Sequence, residues 1–282
     1  MIELRFEVES SFTGQFGFTG PPLRAAFLSL LRECDEQLSG RVHDERGIRT
    51  YALQPFPCGR DFTTTFLQGQ IYYFRVNLLD SDRYRDAIRQ FALRAGRSLR
   101  VHHEVFHLRR IDFSSYETAM MMDSWIEEFR NTFDDTVRIV MSFITPTQLS
   151  AYGSDYACLL PSPERVFTSL LRVWNQIEGK TAIEHVSDYR DWVEKNVHVS
   201  AYNLRTAEVD LGRERSIVGF LGRVVYTLRN ATSPLGMMTA GLAKFAELSN
   251  VGKNRTAGFG QVEVRLETGF TRGERETVHP TG

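Results

Sequence analysis

The alternation of apolar and polar residues predicts strands and helices in a regular order over the first half of the chain. Ile2–Glu9 alternates apolar with charged residues, and Gln70–Leu79 is rich in residues that favour strands. The prolines at positions 21 and 22 precede a run with apolar residues at helical spacing, which predicts a helix. The predicted order is strand, helix, strand, strand, helix, strand, at Ile2–Glu9, Pro21–Cys34, Arg49–Phe56, Gln70–Leu79, Asp82–Ala95 and Ser98–Phe113. This is the order of a ferredoxin-like unit.

The second half repeats this order with longer insertions. Strands are predicted at Thr136–Ile144, Val197–Leu211, Ser216–Leu228 and Gln261–Glu267, and helices at Ser162–Ile177, Asp188–Asn196 and Ser233–Leu248. The fold class predicted is α+β, with two tandem ferredoxin-like (RRM-like) domains at residues 1–115 and 136–267. A linker is predicted at 116–135 and a flexible tail at 268–282.

Composition narrows the class of protein without identifying a function. The chain has 282 residues and a formal net charge of -1, so only local patches of charge could attract nucleic acid. Three cysteines without a CxxC pair predict a reducing, cytoplasmic location with neither a disulfide framework nor a cysteine zinc site. No apolar run is long enough to span a bilayer, and the N-terminus does not have the pattern of a signal peptide, so no membrane partner is predicted.

A glycine-rich stretch at Asn250–Val262 lies between the last predicted helix and the last predicted strand. It carries three glycines and two cations: Gly252, Gly258, Gly260, Lys253 and Arg255. Glycine lets a backbone approach a ligand closely, and exposed N–H groups beside cations bind phosphate. The alternative interpretation is a flexible surface turn. The stretch lacks the pattern of a P-loop or of a dinucleotide fingerprint.

Four segments of the second half and one of the first carry a resemblance to a known family. They are TPTQL at 145–149, LPSPERVFTSLLRVWN at 160–175, GFLGRVVYTL at 219–228, AGLAKFAELSNVGKNRTAGFGQV at 240–262 and, more loosely, LSGRVHDERGIRTYALQPF at 38–56. The chain resembles the CRISPR-associated repeat-RNA endoribonucleases, the sixth Cas family of the RAMP superfamily. The resemblance implies two ferredoxin-like domains, in agreement with the predicted order of elements.

The resemblance also implies a reaction, in which CRISPR precursor RNA is cut within each repeat without metal or cofactor. The 2′-OH attacks the neighbouring phosphate and leaves a 2′,3′-cyclic phosphate and a 5′-OH. Histidine suits the proton transfers and arginine the charge that develops on phosphorus. His43, in a predicted polar loop at Ser39–Arg49, falls where the family's histidine lies. The candidate catalytic residues are His43, Arg49 and Tyr51, and the alternative is that His43 is a solvated loop residue.

The resemblance places the glycine-rich stretch near the RNA. Lys253, Asn254 and Arg255 are predicted to contact phosphates, with Gly258 and Gly260 allowing close approach. The run HEVFH at 103–107 spells a zinc-protease pattern, but that pattern requires a helix and its flanks favour a strand. Arg100 and Arg110 are instead predicted to help line an RNA groove. The plain alternative is a solvent-facing edge strand.

Three function classes remain after the sequence is considered. The first is the repeat-RNA endoribonuclease. The second is a protein of the same fold that holds guide RNA and cuts nothing, and the third is a zinc hydrolase, which would require bound metal. The expected partner is CRISPR repeat RNA. Association with subunits of a CRISPR effector complex and formation of a homodimer are left open by the sequence.

Overall fold

A computed structural model describes residues 1–44, 47–58, 61–94, 96–115, 118–151, 156–178, 183, 185–211 and 216–268. Most of the predicted tail, from 269 onwards, therefore lies outside the described residues. No helix in these ranges is both long enough and apolar enough to cross a membrane.

The first unit is an antiparallel sheet of five strands with helices on one face. Its elements are β1 (Ile2–Ser10), β2 (Gly14–Gln15), α1 (Gly20–Cys34), α2 (Glu36–Asp44), β3 (Tyr51–Gln54), β4 (Pro57–Cys58), β5 (Asp61–Phe62), β6 (Thr65–Phe66), β7 (Ile71–Leu78), α3 (Ser81–Phe91), β8 (Ser98–Val101) and β9 (Glu104–Ser115). The strand order is β3-β7-β1-β9-β8, and β2 with β6 and β4 with β5 form two short ribbons. Without the added β8, the order is that of a ferredoxin-like sheet.

The alternation in β1 explains how this sheet is covered. Leu4, Phe6 and Val8 have no exposed surface and face the helices, whereas the charged residues between them are partly exposed on the other face. Phe6 stacks on Phe74 of β7 with ring centroids 4.6 Å apart. One face of the sheet is therefore the core of the unit.

The second unit repeats the arrangement around a sheet of four strands. Its elements are α4 (Thr118–Thr132), β10 (Thr136–Thr147), β11 (Leu149–Ser150), β12 (Ala157–Cys158), α5 (Pro163–Glu178), α6 (Val186–Asn196), β13 (Val197–Asp210), β14 (Ser216–Arg229), α7 (Pro234–Ser249) and β15 (Val262–Glu267). The strand order is β13-β14-β10-β15, all antiparallel, and β11 pairs with β12. The prediction of two tandem ferredoxin-like domains is confirmed.

Three local predictions differ from the structure. The predicted linker contains the 15-residue helix α4, which packs on α7 through buried Met122 and a Lys244–Glu128 ion pair of 3.1 Å. The predicted polar loop begins within α2, so His43 lies in the last turn of a helix. The predicted strand Ser98–Phe113 is a hairpin, because the chain turns at His102, whose φ is 57°.

The two units meet at the edge strand β3 and the end of α7. Side-chain amides of the first unit donate to the last backbone carbonyls of α7, with Gln54 Nε2 2.5 Å from the Glu247 oxygen and Asn77 Nδ2 2.7 Å from that of Leu248. In return, Asn250 Nδ2 donates to the Leu53 carbonyl at 2.8 Å. These hydrogen bonds join the two units.

Candidate functional site

A cleft of about 590 Å³ lies between the two units beside this junction. Its walls come from the segment after α2 at residues 47–49, from one face of α5, from residues 150–151, and from the glycine-rich stretch at residues 252–256. A cavity of this size is within the range that takes a drug-sized ligand. Both halves of the chain are needed to form it.

The charge of the cleft differs from that of the whole chain. Five cations and no carboxylate occur among the described residues that line it: Arg49, Arg165, Arg172, Lys253 and Arg255. The whole chain carries a formal net charge of -1. A cleft lined by charges of one sign raises the local concentration of the opposite ion, so this cleft favours an anionic ligand.

Helix α5 presents hydroxyls and cations to the cleft from one face. Arg165, Thr168, Ser169 and Arg172 are spaced by three and four residues, which places them on the same side of the helix. The other face packs into the core of the second unit through Val166, Phe167, Leu170, Leu171 and Trp174. Arg165 is anchored, because its Nη1 donates to the Ser150 carbonyl at 2.7 Å.

Two polar atoms at the cleft lack a hydrogen-bond partner in the described part of the chain. They are Oγ1 of Thr168, a residue 3% exposed, and Nε of Arg49. Buried polar atoms in folded proteins are almost always bonded, so an orphaned one needs an explanation. Both atoms are donors, but each has almost no accessible surface and would have to become accessible before it could bond an oxygen of an anion in the cleft.

The glycine-rich stretch has a different role from the one predicted for Arg255. The side chain of Arg255 is buried, with Nη1 donating to the Ser249 carbonyl at 2.8 Å and Nη2 to the Arg49 carbonyl at 3.0 Å. Burial lowers the pKa of Arg255 to about 10. This arrangement does not favour a phosphate contact by Arg255, because its guanidinium bonds the backbone of both units, and the contact stays a prediction.

The glycines of the stretch serve backbone packing. Gly258 has a φ of 81°, and a side chain there would lie 3.1 Å from the Cα of Gly20 at the start of α1. Gly260 has a φ of 72°, and a Cβ there would lie 1.9 Å from the Val251 carbonyl oxygen. Their predicted role of admitting RNA is not supported, since the space beside them is filled by protein.

Lys253 and Asn254 are accessible from the cleft. Both line the cleft, and no hydrogen bond or ion pair is made by the Lys253 side chain within the described ranges. The Lys253 N–H donates to the Gln148 carbonyl at 2.8 Å, which fixes the backbone from which this side chain extends. Their contact with phosphate stays a prediction.

The three candidate catalytic residues lie in different environments. His43 is open to solvent, and its Nδ1 lies 3.0 Å from Oδ1 of Asp44. Arg49 lines the cleft. Tyr51 has no exposed surface, packs on the ring of Phe27 and accepts a hydrogen bond from Nε of Arg24 at 3.3 Å. This burial does not favour a catalytic Tyr51, since no substrate can reach the hydroxyl in this structure, and the role stays a prediction.

The two arginines assigned to an RNA groove do not share one surface with the cleft. Arg100 on β8 lines a separate hollow beside α1. Arg110 on β9 pairs with Asp112 at 3.0 Å and with Glu7 at 3.4 Å, which offsets its charge. Neither residue lines the cleft, and their role in RNA binding stays a prediction.

The run HEVFH does not form a helix. His103 lies in the turn between β8 and β9, and His107 lies on β9. The zinc-protease arrangement needs both histidines on one face of a helix. Among the described residues, no cluster of three or more histidine, cysteine, aspartate or glutamate side chains could hold a metal ion.

The α5 residues were missed by the sequence predictions. The signal was present in PERVFTSLLR, where cation and hydroxyl recur at helical spacing on the side opposite the apolar residues. Such a stripe also occurs on any solvated helix. Only the packing of α5 beside the other two cationic segments distinguishes it.

Comparisons with known proteins agree with this architecture. Residues 141–262 match the family model of the CRISPR-associated endoribonuclease Cas6, so the resemblance carried by the sequence motifs is confirmed there. One similar structure is the Cas6 (TTHB231) product complex, whose protein comes from Thermus thermophilus. It is 20% identical to this chain with a TM-score of 0.71, and the match covers 94% of this chain and 99% of the other.

Two further structures share the fold. The Cas6 (TTHA0078) product complex is 23% identical with a TM-score of 0.68, covering 94% of this chain and 100% of the other. A RAMP protein described as binding different RNA substrates is 12% identical with a TM-score of 0.58, covering 94% and 100%. No protein with a curated description matches the chain.

Proposed function

We propose that this chain is a Cas6 endoribonuclease that processes CRISPR precursor RNA by cutting within the repeats. The observation that carries the proposal is the cleft. It is lined by cations without a described carboxylate, and the segment that supplies Lys253 and Asn254 lies inside the family match. Related folds described as product complexes and as an RNA-binding RAMP protein support RNA as the ligand.

In the proposed reaction the RNA attacks itself. A bond forms between the 2′-oxygen and phosphorus, the bond from phosphorus to the 5′-oxygen breaks, and the 5′-oxygen receives a proton. The products are a 2′,3′-cyclic phosphate and a 5′-OH, and no metal is required. Positioned acid–base groups contribute about two to four powers of ten to the rate of such a step.

His43 is assigned the proton transfer. When Nδ1 carries the hydrogen, Asp44 accepts it and leaves Nε2 free to take the proton of the 2′-OH. The exposed position of the ring suits a polymeric substrate that approaches from solution. Arg49 is assigned to the phosphorane, because a guanidinium stabilises this charge and cannot itself exchange protons near neutral pH.

The decisive experiment is cleavage of an RNA that carries one CRISPR repeat of the source genome, in excess chelator, with both product ends mapped. We expect cutting to persist and to yield the cyclic phosphate, and an RNA with 2′-hydrogen at the cut to stay intact. His43→Ala should lose about two to four powers of ten in rate. His103→Ala, which removes an exposed histidine of the β8–β9 turn, is the matched control.

Loss of activity in chelator, or a product with a 3′-hydroxyl, would contradict this mechanism. The second candidate is a guide-RNA-binding protein that does not cut. It shares the cationic cleft, so binding alone does not separate the two. Tight binding of the repeat RNA with both ends of the RNA unchanged after incubation would favour it.

A further inference from the structure

The wall of the cleft formed by α5 has features that the proposed catalytic residues do not explain. Thr168 is buried, and within the described ranges its hydroxyl has no hydrogen-bond partner, although a serine or threonine in a helix can bond the carbonyl one turn earlier. Four residues later, Arg172 is exposed and makes no hydrogen bond or ion pair with any described residue. Both residues face the same cavity.

The chemistry of these groups selects the class of ligand. A hydroxyl beside a guanidinium presents donors at short range, and phosphate oxygens accept such bonds in charge-assisted form. The opposite wall supplies Lys253, which also lacks a described partner. The size of the cavity, about 590 Å³, exceeds what a single small anion needs and suits a nucleotide-sized group.

We propose that Thr168 and Arg172 bind a backbone phosphate of the RNA other than the one that is cut, and so position the strand in the cleft. This inference rests on the proposed function for the identity of the ligand. Arg49 reaches the same cavity from the first unit, so an RNA strand held between the two walls is anchored to both units. Contacts of this kind fix register and carry no base specificity.

The hydroxyl gives a test that separates ligand binding from folding. Thr168→Val keeps the shape of the side chain and removes a donor that has no partner among the described residues. Removing an unpaired buried polar group is neutral or stabilising, so we expect the melting temperature to stay constant or to rise. Affinity for a repeat RNA with 2′-hydrogen at the cut should fall about tenfold or more, because a bond to a charged acceptor is lost.

Arg172 gives the second arm. Arg172→Gln should weaken binding of the same RNA. It should also make the slope of log affinity against log salt less steep by about 0.7, the change expected for one phosphate contact on a single strand. Arg130→Gln, on the exposed face of α4 and outside the cleft lining, is the matched control for loss of one charge. Arg172→Lys should restore most of the salt slope and only part of the affinity.

Methylphosphonate substitution of single phosphates identifies the contact. In the wild-type protein, neutralising one phosphate other than the scissile one should weaken binding, and the same substitution should have little further effect on Arg172→Gln. The proposal is overturned if both variants bind within twofold of wild type. It is equally overturned if Thr168→Val lowers the melting temperature together with the affinity, and if every methylphosphonate substitution weakens binding by wild type and by Arg172→Gln to the same extent.

The two proposals fail separately. If wild type cuts the repeat RNA and the variants bind and cut normally, the reaction stands and the α5 subsite does not exist. If wild type binds the RNA but leaves it intact, the reaction is wrong, while the affinities of the variants still decide whether α5 holds a phosphate.

Discussion

Replacement of Arg255 by methionine tests whether this residue joins the two units or binds RNA. Its guanidinium donates to the Ser249 carbonyl at the end of α7 and to the Arg49 carbonyl in the segment that enters the cleft. Methionine has a similar apolar stem and no donor. Arg255→Met therefore removes both bonds and leaves two carbonyls without their partner.

Two opposing effects determine how far Arg255→Met changes the free energy of unfolding. An unpaired buried carbonyl costs about 1–3 kcal/mol, so two cost about 2–6 kcal/mol. Burial lowers the pKa of Arg255 to about 10, which corresponds to a penalty of about 3 kcal/mol on the buried charge, and methionine removes this penalty. The difference between the two effects is a net loss of at most about 3 kcal/mol in the free energy of unfolding. The melting temperature should fall by up to about 10 °C.

The assay pairs thermal unfolding with RNA affinity measured at several salt concentrations. Lys253→Met is the matched control, because Lys253 lies in the same stretch and has no described partner. Lys253→Met should melt at the wild-type temperature, bind RNA more weakly and show a less steep dependence of affinity on salt. Arg255→Met should melt at a lower temperature and show the same dependence of affinity on salt as wild type. If Arg255→Met melts like wild type and loses the salt slope, Arg255 is a phosphate ligand and the reasoning fails.

Two further predictions concern buried groups. Tyr51→Phe should cut repeat RNA at the wild-type rate, since the hydroxyl faces Arg24 in the core; a loss of more than tenfold in the cleavage rate would restore its catalytic role. Burial raises the pKa of Glu247; Glu263 raises it further, whereas the Val264 N–H and Lys244 lower it. Because the pKa is higher in the folded than in the unfolded chain, the free energy of unfolding falls as pH rises through the folded-state pKa. Glu247→Gln should melt higher than wild type at neutral pH, with the difference shrinking as pH falls towards 4.5 in pH-dependent thermal melts; a constant difference would refute this.

The order of elements could be predicted because each main strand and helix follows its own hydrophobic period. Leu4, Phe6 and Val8 alternate with charges, and all three are fully buried. Local errors arose where context overrides local pattern. Helix α4 is ordered by packing on α7, where Gly241 leaves room for Met122, and no signal near 116–135 reports that contact.

The site was harder to predict because its residues come from three separate segments. The glycine-rich stretch lies between the last helix and the last strand, as predicted, yet sequence alone could not distinguish a glycine that admits a ligand from one that admits protein. Gly258 faces Gly20 of the other unit, more than two hundred residues away in the chain. The cations that line the cleft include Arg165 and Arg172, which resemble the solvated face of an ordinary helix until α5 is placed beside Arg49.

The glycine-rich stretch both joins the two units and forms part of the cleft wall. At one end it supplies Lys253 to the cavity, and two residues later it bonds the Arg49 carbonyl through Arg255. Asn250 bonds Leu53 on the edge strand from the same stretch. Since Arg49 is itself a cleft residue, a change large enough to separate the two units would also displace a cation from the proposed RNA path. A junction variant that stays folded, such as Arg255→Met, should lose stability and keep its RNA affinity, whereas variants on the cleft wall should lose affinity alone.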